Sequence, residues 1–417
     1  MKNSVAKSKA RQDLVNRYLD SLKQDKIPWR CGWLNEMPYN YSSKKKYRGV
    51  NAMLLNFISM MNGWLDPRWM TWNDVIKHGW AVKKGSKCAH VEYWYPMRLV
   101  DKESKKWVKV SWEEYNTWKA NRSKNQSETE NLVYTLGCKS FDVFNGECIV
   151  GIDPYIEKAS AKIEATPFVD KLIENLGVTY KEEGSRAFYS PSKDMVVIPS
   201  RERFESQYEY DAKRLHELCH STGHASRKNR DLSGEFGSES YAKEELRVEI
   251  AASLIGIDID LPSTDANLDN HVAYIQSWIK VLENDPEELF NAISAAQVID
   301  EYVLEQGEYN HMRIQQDLDN LAVHEDGVYE VQHGKGTEKV AVFDSPSGQA
   351  YAFLCIKGRL QAYTIPEGCD LEHHRFGKDD RIDLDEYFMD GGMKEQIYDM
   401  IDEAGMQEEQ ADDEMEL

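Results

Sequence analysis

The stretch "RLHELCHSTGH", residues 214–224, spaces three histidines at intervals of four and puts a glutamate directly after the first. On an α-helix, residues four apart share a face and lie about 6 Å apart along the axis. The imidazoles of His216 and His220 can therefore converge on one ion. Two nitrogen donors suit Zn²⁺, and a catalytic zinc takes a third protein ligand while leaving one position for water. Glu217 follows the first ligand, projects to one side of the metal and is placed to take a proton from the bound water. The rival reading is a helix that is merely rich in histidine, and the sequence downstream weighs against it.

Residues 244–255, "EELRVEIAASLI", read as an amphipathic helix with carboxylates at Glu244, Glu245 and Glu249. Glu245 and Glu249 stand at i,i+4, so one can ligate a metal while the other orients a ligand histidine. The pattern resembles the ExxxD arrangement of thermolysin-like zincins, which implies Glu245 as the third ligand and Glu249 as the outer carboxylate. Glu244 is the competing choice, and a solvated acidic face is the bland one. His224 lies about 12 Å along the axis from His216 and beyond Gly223, a helix stop, so it is an outer residue of the site rather than a ligand. A three-histidine site would place its last ligand six residues after His220, where Ser226 stands. The run "DMVVIP", residues 194–199, fits an edge strand that binds a peptide backbone by β-addition, and equally a plain core hairpin. Tyr241 is either an oxyanion donor or a buried aromatic.

The 417 residues exceed one typical core, which implies two or three domains. The net charge of -21 conceals a division: residues 1–150 carry 26 Lys and Arg against 15 Asp and Glu, and residues 151–417 carry 25 against 57. A basic front and an acidic remainder suit different partners. Seven cysteines form no CxxC pair and are odd in number, so neither a disulfide framework nor a zinc knuckle is implied. The start lacks the apolar core of a secretory signal. The most apolar run, residues 50–65, is interrupted by Asn51, Asn56, Asn62 and Gly63 and is too short to span a bilayer. The expectation is a reducing, cytoplasmic protein with no membrane partner.

Helical and alternating patterns are mixed along the chain, giving an α+β protein with no internal repeat. A helix over residues 9–24 and a second over roughly 50–62 precede short strands, and a closing strand "FDVFNGECIVGI" sets a boundary near 155. Residues 156–317 are mostly helical and hold the histidine pair. From 318 the texture turns to period two with turn signals, a small β-rich accessory module ending in the acidic tail "QEEQADDEMEL". The domains are therefore 1–155, 156–317 and 318–417.

Ten of the eleven tryptophans precede residue 120. Single-stranded nucleic acid binding needs cations along the phosphates and flat side chains on which bases stack. The front interleaves both. Arg30, Lys44, Lys45, Lys46, Arg48, Arg68, Lys83, Lys84 and Lys87 are candidate phosphate contacts, Trp29, Tyr47, Trp69, Trp72 and Tyr93 candidate platforms, and Asn51 a polar contact between them. A tryptophan-rich core with solvated lysines is the bland alternative.

Taken in order, "PWR" (28–30), "YRGVNAMLL" (47–55), "DPRWMTW" (66–72), "HGWAVKKGSK" (78–87), "VEYW" (91–94) and "FDVFN" (141–145), then "HELCHSTGH", "RKNR" (227–230), "FGSESYAKEELRVEIAASL" (236–254) and "AYIQSWIKVLENDPEELFNAISAAQ" (273–297), resemble the ArdC-type antirestriction family of conjugative elements. The resemblance spans about residues 10–305. It implies an N-terminal single-stranded-DNA-binding domain, a zincin-like metallopeptidase domain with zinc, and a cytoplasmic protein of a mobile element that protects incoming DNA from host restriction. Its partners would be single-stranded DNA and a protein substrate or the host restriction machinery. The loop after "PWR" is poorer in proline than the family pattern, and residues 318–417 match no part of it. Two other readings stand beside it: a DNA-binding protein whose metal is structural or vestigial, and a DNA mimic whose acidic part fills the groove of a restriction enzyme.

Overall fold

In a computed structural model of the chain, the described residues are 9–24, 27, 37–101, 106–123, 132–156, 162–235, 237–261, 272–333, 336–366, 369–371 and 374–415. They form two compact units, Met37–Tyr155 and a second that joins the start of the chain to everything from Ile156 onward. Helix α1 (Lys9–Leu22) opens the chain and buries Leu14, Val15, Tyr18 and Leu22, the stripe its 3.6-residue spacing predicts.

The unit Met37–Tyr155 runs β1 (Tyr39–Asn40), α2 (Gly49–Asn62), β2 (Arg68–Thr71), α3 (Trp72–Lys77), β3 (Ala81–Val82), β4 (Ala89–Asp101), β5 (Lys106–Lys109), α4 (Trp112–Ser123), β6 (Tyr134–Asn145) and β7 (Ile149–Val150). Its five-stranded sheet has the order β1-β2-β6-β4-β5. The long antiparallel pair β4 and β6 runs from Ala89 opposite Val143 to Arg98 opposite Tyr134. Where that pair begins, Ala89, Val91 and Val143 pack with Leu55 of α2 and Trp69 of β2. Gly63 ends α2 in the left-handed region at φ 66°, and its N–H turns back to the Met60 and Ser59 carbonyls. A capping box between Thr71 and Asp74 starts α3.

The second unit continues with α5 (Ala165–Leu176), β8 (Thr179–Glu182), β9 (Phe188–Ser190), β10 (Met195–Ile198), α6 (Gln207–Ser221), α7 (Glu239–Asp258), α8 (Val272–Asn284), α9 (Glu287–Gln306) and α10 (Tyr309–Leu318). Although α1 precedes the other unit in sequence, it packs here. Its Arg11 guanidinium stands 4.5 Å over the Phe290 ring, and Lys23 pairs with Glu283 of α8 at 2.6 Å. Of the two readings of Met195–Ile198, edge strand and core hairpin, the structure has the second: the segment is the central strand of three, parallel to β8 and antiparallel to β9, which spends both its edges on ladder bonds. The outer strand on that side is β9. Helix α7 buries Leu246, Ile250 and Leu254, and α9 buries Leu289, Ile293 and Ala296. Each fully buried Leu or Ile contributes about 1.5–3 kcal/mol, enough to hold the carboxylate-bearing helix in place.

Beyond α10 come β11 (Ala322–His333), β12 (Gly336–Asp344), β13 (Ala350–Ile356), β14 (Arg359–Ile365), β15 (Arg381–Ile382) and α11 (Gly391–Met415). The five strands form an antiparallel meander in sequence order. Alternation along β12 sends Ala341 and Phe343 into one cluster, which Ile397 of α11 joins, and Val340 and Val342 into another on the opposite face. Asp317 of α10 accepts from Tyr351 Oη at 2.7 Å and Ser347 Oγ at 2.6 Å, tying the helix to the meander. Among the described residues no helix is long and apolar enough to cross a membrane.

Candidate functional site

Ser206 caps α6 by accepting from the Glu209 N–H. The helix then buries Leu215, Leu218 and Cys219, while His216, Glu217 and His220 line a cavity of about 900 Å³. Ser238 caps α7 in the same way, and α7 brings Glu245 to the histidines. His216 Nε2 and His220 Nε2 stand 3.2 Å apart. Glu245 Oε2 is 3.6 Å from the first and Oε1 is 3.3 Å from the second. A tetrahedral zinc with bonds of about 2.0–2.1 Å spaces its donors about 3.3 Å apart, so the donor set and its spacing fit a divalent ion.

The other two glutamates lie on the outer side of the rings. Glu249 Oε1 is 3.5 Å from His216 Nδ1, and Glu244 Oε1 is 3.6 Å from His220 Nδ1. Of the competing carboxylates, Glu245 reaches both Nε2 atoms and Glu244 reaches neither. Arg230 holds Glu244 through a 2.7 Å bond, and also donates to Thr222 Oγ1 at 2.6 Å and the Cys219 carbonyl at 2.9 Å. One guanidinium thus caps the end of α6 and positions the carboxylate behind His220. Nothing local in the sequence signals this, because a loop brings Arg230 back.

Lys213 Nζ lies 2.9 Å from Glu217 Oε1, one turn earlier on α6, with its side chain 41% exposed. This partner was legible by the i,i+4 rule. Burial pushes Glu217 up, but Lys213 and the two imidazoles outweigh it and hold the carboxyl below the usual carboxylate range. Glu245 is likewise held well below the usual range: burial raises it, and hydrogen bonds to both histidines overcome that. Burial alone would lower His220, but Glu244 and Glu245 push it up to about 10. Four carboxylates around two imidazoles make a cluster that favours added positive charge.

His224 does not join the cluster. Helix α6 ends at Ser221, the chain turns, and His224 Nδ1 meets Ser226 Oγ at 2.8 Å and Asp194 Oδ2 at 3.8 Å. Asp194 also accepts from Tyr189 Oη and pairs with Arg227, which donates to the Ser221 carbonyl at 2.8 Å. Tyr241 is half-buried and lines the cavity, so it is not the fully buried aromatic of the bland reading. A Cβ on Gly234 would stand 2.5 Å from the Tyr241 backbone nitrogen, so only glycine lets that loop pass over the start of α7. Phe188 and Tyr189 of β9 line the cavity with the loop before them.

In the unit Met37–Tyr155, the basic and aromatic candidates separate into exposed and buried sets; Trp29 and Arg30 lie outside the described residues. Lys45, Lys46, Arg48, Lys84 and Lys87 are exposed. Lys44 Nζ sits 4.7 Å over the Tyr41 ring, and Lys83 Nζ donates to the Glu147 carbonyl at 2.7 Å. Trp72 and Tyr93 are 52% and 53% exposed. Four candidates serve the fold instead. Trp69 is fully buried because β2 lies inside the sheet, between β1 and β6. Buried Arg68 is held by Asp66 at 2.7 Å and the Asp153 carbonyl at 2.8 Å, since a buried cation needs a partner. Asn51 bonds the Glu92 backbone in both directions, locking α2 to β4. Tyr47 packs against the Leu55 and Trp69 cluster.

Strand register assembles a surface that no local motif announces. Val91 opposes Phe141, Tyr93 opposes Lys139 and Tyr95 opposes Gly137, which puts these side chains on one face of the β4 and β6 pair. A Cβ on Gly137 would meet the Tyr95 ring at 2.6 Å, so the ring lies across the glycine. Tyr93 and Tyr95 stack at 5.9 Å, and Lys109 Nζ stands 4.1 Å from the Tyr95 centroid. Phe141 is 43% exposed. Tyr95, Lys109, Lys139 and Phe141 are absent from the sequence-derived set.

Residues 8–144 match the N-terminal domain of the anti-restriction factor ArdC, and residues 167–295 match the zincin-like metallopeptidase family. A DNA primase TraC of Escherichia coli is 35% identical over 309 residues, 72% of this chain and 20% of the primase; for a second the match covers 70% and 27%. The chain thus spans about a quarter or less of those primases. The y4eC protein of Sinorhizobium fredii is 30% identical over 67% of this chain and 84% of its own length. The metal-free crystal structure of the antirestriction protein ArdC from plasmid R388 aligns with a TM-score of 0.56 and 25% identity, covering 72% of this chain and 98% of that one. Its Mn(II)-bound form aligns at 0.54, covering 71% and 97%. The chain therefore belongs to the ArdC-type antirestriction family and joins an ArdC N-terminal domain to a zincin-like metallopeptidase domain.

Proposed function

We propose that this protein is a cytoplasmic antirestriction factor of a mobile element that binds single-stranded DNA and carries a zinc-dependent peptidase site. The observation that carries the peptidase half is the convergence of His216 Nε2, His220 Nε2 and Glu245 beside Glu217 in one cavity. His216, His220 and Glu245 would hold the ion, with zinc favoured by the N₂O donor set. A divalent ion there supplies Lewis-acid polarisation of a carbonyl and acidifies a water. Glu217, held ionised, is the proton acceptor. Glu249 and Glu244 sit where each can accept from an Nδ1–H, leaving both Nε2 lone pairs facing inward. The outer edge of β9 offers backbone groups for an extended peptide, and the Tyr241 hydroxyl is a candidate donor to a developing oxyanion.

DNA binding is assigned to the Tyr93, Tyr95 and Phe141 rings with Lys109 and Lys139, joined by the exposed Lys45, Lys46, Arg48, Lys84 and Lys87 and by Trp72. Affinity for an oligonucleotide should fall steeply with salt as counterions are released.

Glu217→Gln tests the chemistry. The variant should keep metal and DNA binding while cleavage of a fluorogenic peptide library and antirestriction in cells are lost. Unchanged antirestriction would instead support a metal-holding, non-hydrolytic protein. The Lys213 pair is the observation that favours this second reading, because a neutralised carboxylate is a weaker base.

A further inference from the structure

A second group of metal-ligand side chains stands in the other unit. His90 of β4 lies directly opposite Asp142 of β6, and its Nδ1 is 2.6 Å from Asp142 Oδ1. Cys88, two residues before His90, falls on the same face by the period-two rule. One ligand atom from each of the three lies within 4.8 Å of the others. In a tetrahedral zinc site with bonds of about 2.0–2.3 Å, donors stand about 3.3–3.8 Å apart. The side chains of His90 and Asp142 are 49% and 60% exposed, so small rotations close that gap without moving the core.

We propose that Cys88, His90 and Asp142 form a second site, for a divalent transition-metal ion of the zinc class. The donor chemistry selects the ion: a thiolate and an imidazole suit zinc or cobalt and disfavour magnesium and calcium, while the carboxylate completes a three-ligand set open to water. An activated cysteine nucleophile is the alternative for such a trio. Burial and the Asp142 charge push the Cys88 thiol up, the opposite of what a nucleophile needs. On binding, the thiol releases its proton to solvent as the sulfur–metal bond forms. The ion would tie the residue before β4 to β6. By the same alternation it lies on the face opposite Tyr93, Lys139 and Phe141, so it acts on the stability of the unit rather than by touching DNA.

The site goes beyond the peptidase reading and is separable from it, because the His216, His220 and Glu245 cluster contains no sulfur. The full chain, stripped with chelator, is titrated with cobalt chloride and then zinc chloride. The wild type should bind two equivalents and develop a thiolate-to-cobalt charge-transfer band in the near ultraviolet that zinc bleaches. Cys88→Ser and His90→Ala should each lose the band and one equivalent while retaining the wild-type circular dichroism spectrum. Asp142→Asn, which replaces a charged ligand oxygen with a neutral and weaker donor, should develop the band only at higher cobalt concentration than the wild type. Glu245→Ala should keep the band while losing the other equivalent. Absence of the band from the wild type, or its persistence in Cys88→Ser, overturns the proposal. Loss of the second equivalent in Glu245→Ala with the band intact, or its retention there, bears on the peptidase site alone.

Discussion

The His216 cluster and the Tyr93 surface are both built for polar chemistry, and they are held by opposite means. In the cluster Glu217, Glu244, Glu245 and Glu249 are all buried, and each stands against a cation or an imidazole. On the sheet, Tyr93 and Phe141 are about half exposed and continue, on the same face of the strand pair, from the Ala89, Val91 and Val143 core that fixes it. A buried carboxylate is costly without partners, so the cluster tolerates little change. An exposed ring costs the fold little when removed. Loss in one region should therefore be cooperative, and in the other incremental.

Glu245→Ala should break the first region outright. Bound metal, read by elemental analysis, should fall from one equivalent at this site to none, a larger loss than the roughly 10–100-fold expected of an outer partner such as Glu249→Gln. Equal losses for the two would dissolve the distinction between ligand and orienting carboxylate. Trp69→Ala probes the buried part of the aromatic front. It should destabilise the unit Met37–Tyr155 by about 3–5 kcal/mol in denaturant unfolding, with DNA affinity per folded molecule unchanged. Tyr93→Ala should do the reverse, weakening single-stranded DNA binding by about 1–3 kcal/mol with an unaltered unfolding midpoint. Lys109→Ala is the smallest change. It should lower the slope of log affinity against log salt by about 1 and weaken binding uniformly across sequences. A Trp69 variant that folds normally but fails to bind DNA would show that the buried and exposed sets have been divided wrongly.

The legibility of the two regions differs for the same reason. His216, Glu217 and His220 lie on one helix, where the 3.6-residue period dictates which side chains meet, and Lys213 was readable by the same rule. The step from α6 to α7 was legible only as a choice between Glu244 and Glu245, because a helix's rotation about its own axis is set by what it packs against. Here that is the contact with α9 and the hold of Arg230 on Glu244. In the front, residue type marked Arg68 and Trp69 as readily as Lys45 and Tyr93. Composition does not record which strand is interior, and β2 is. The same ambiguity left Met195–Ile198 open between edge strand and core hairpin: its apolar run fits either position, and only its pairing with both β8 and β9 separates them.

Local spacing by itself determined the histidine pair, the glutamate between them, the helical frame that carries them, and the change to period two after residue 318. Tertiary structure alone decided which carboxylate faces both Nε2 atoms, which tryptophan is core, and which tyrosines, lysines and cysteine share a face of the β4 and β6 pair. Helical neighbours are set by bonds along the chain. Neighbours across strands and between helices are set by burial and register, which contacts distant in sequence bring about.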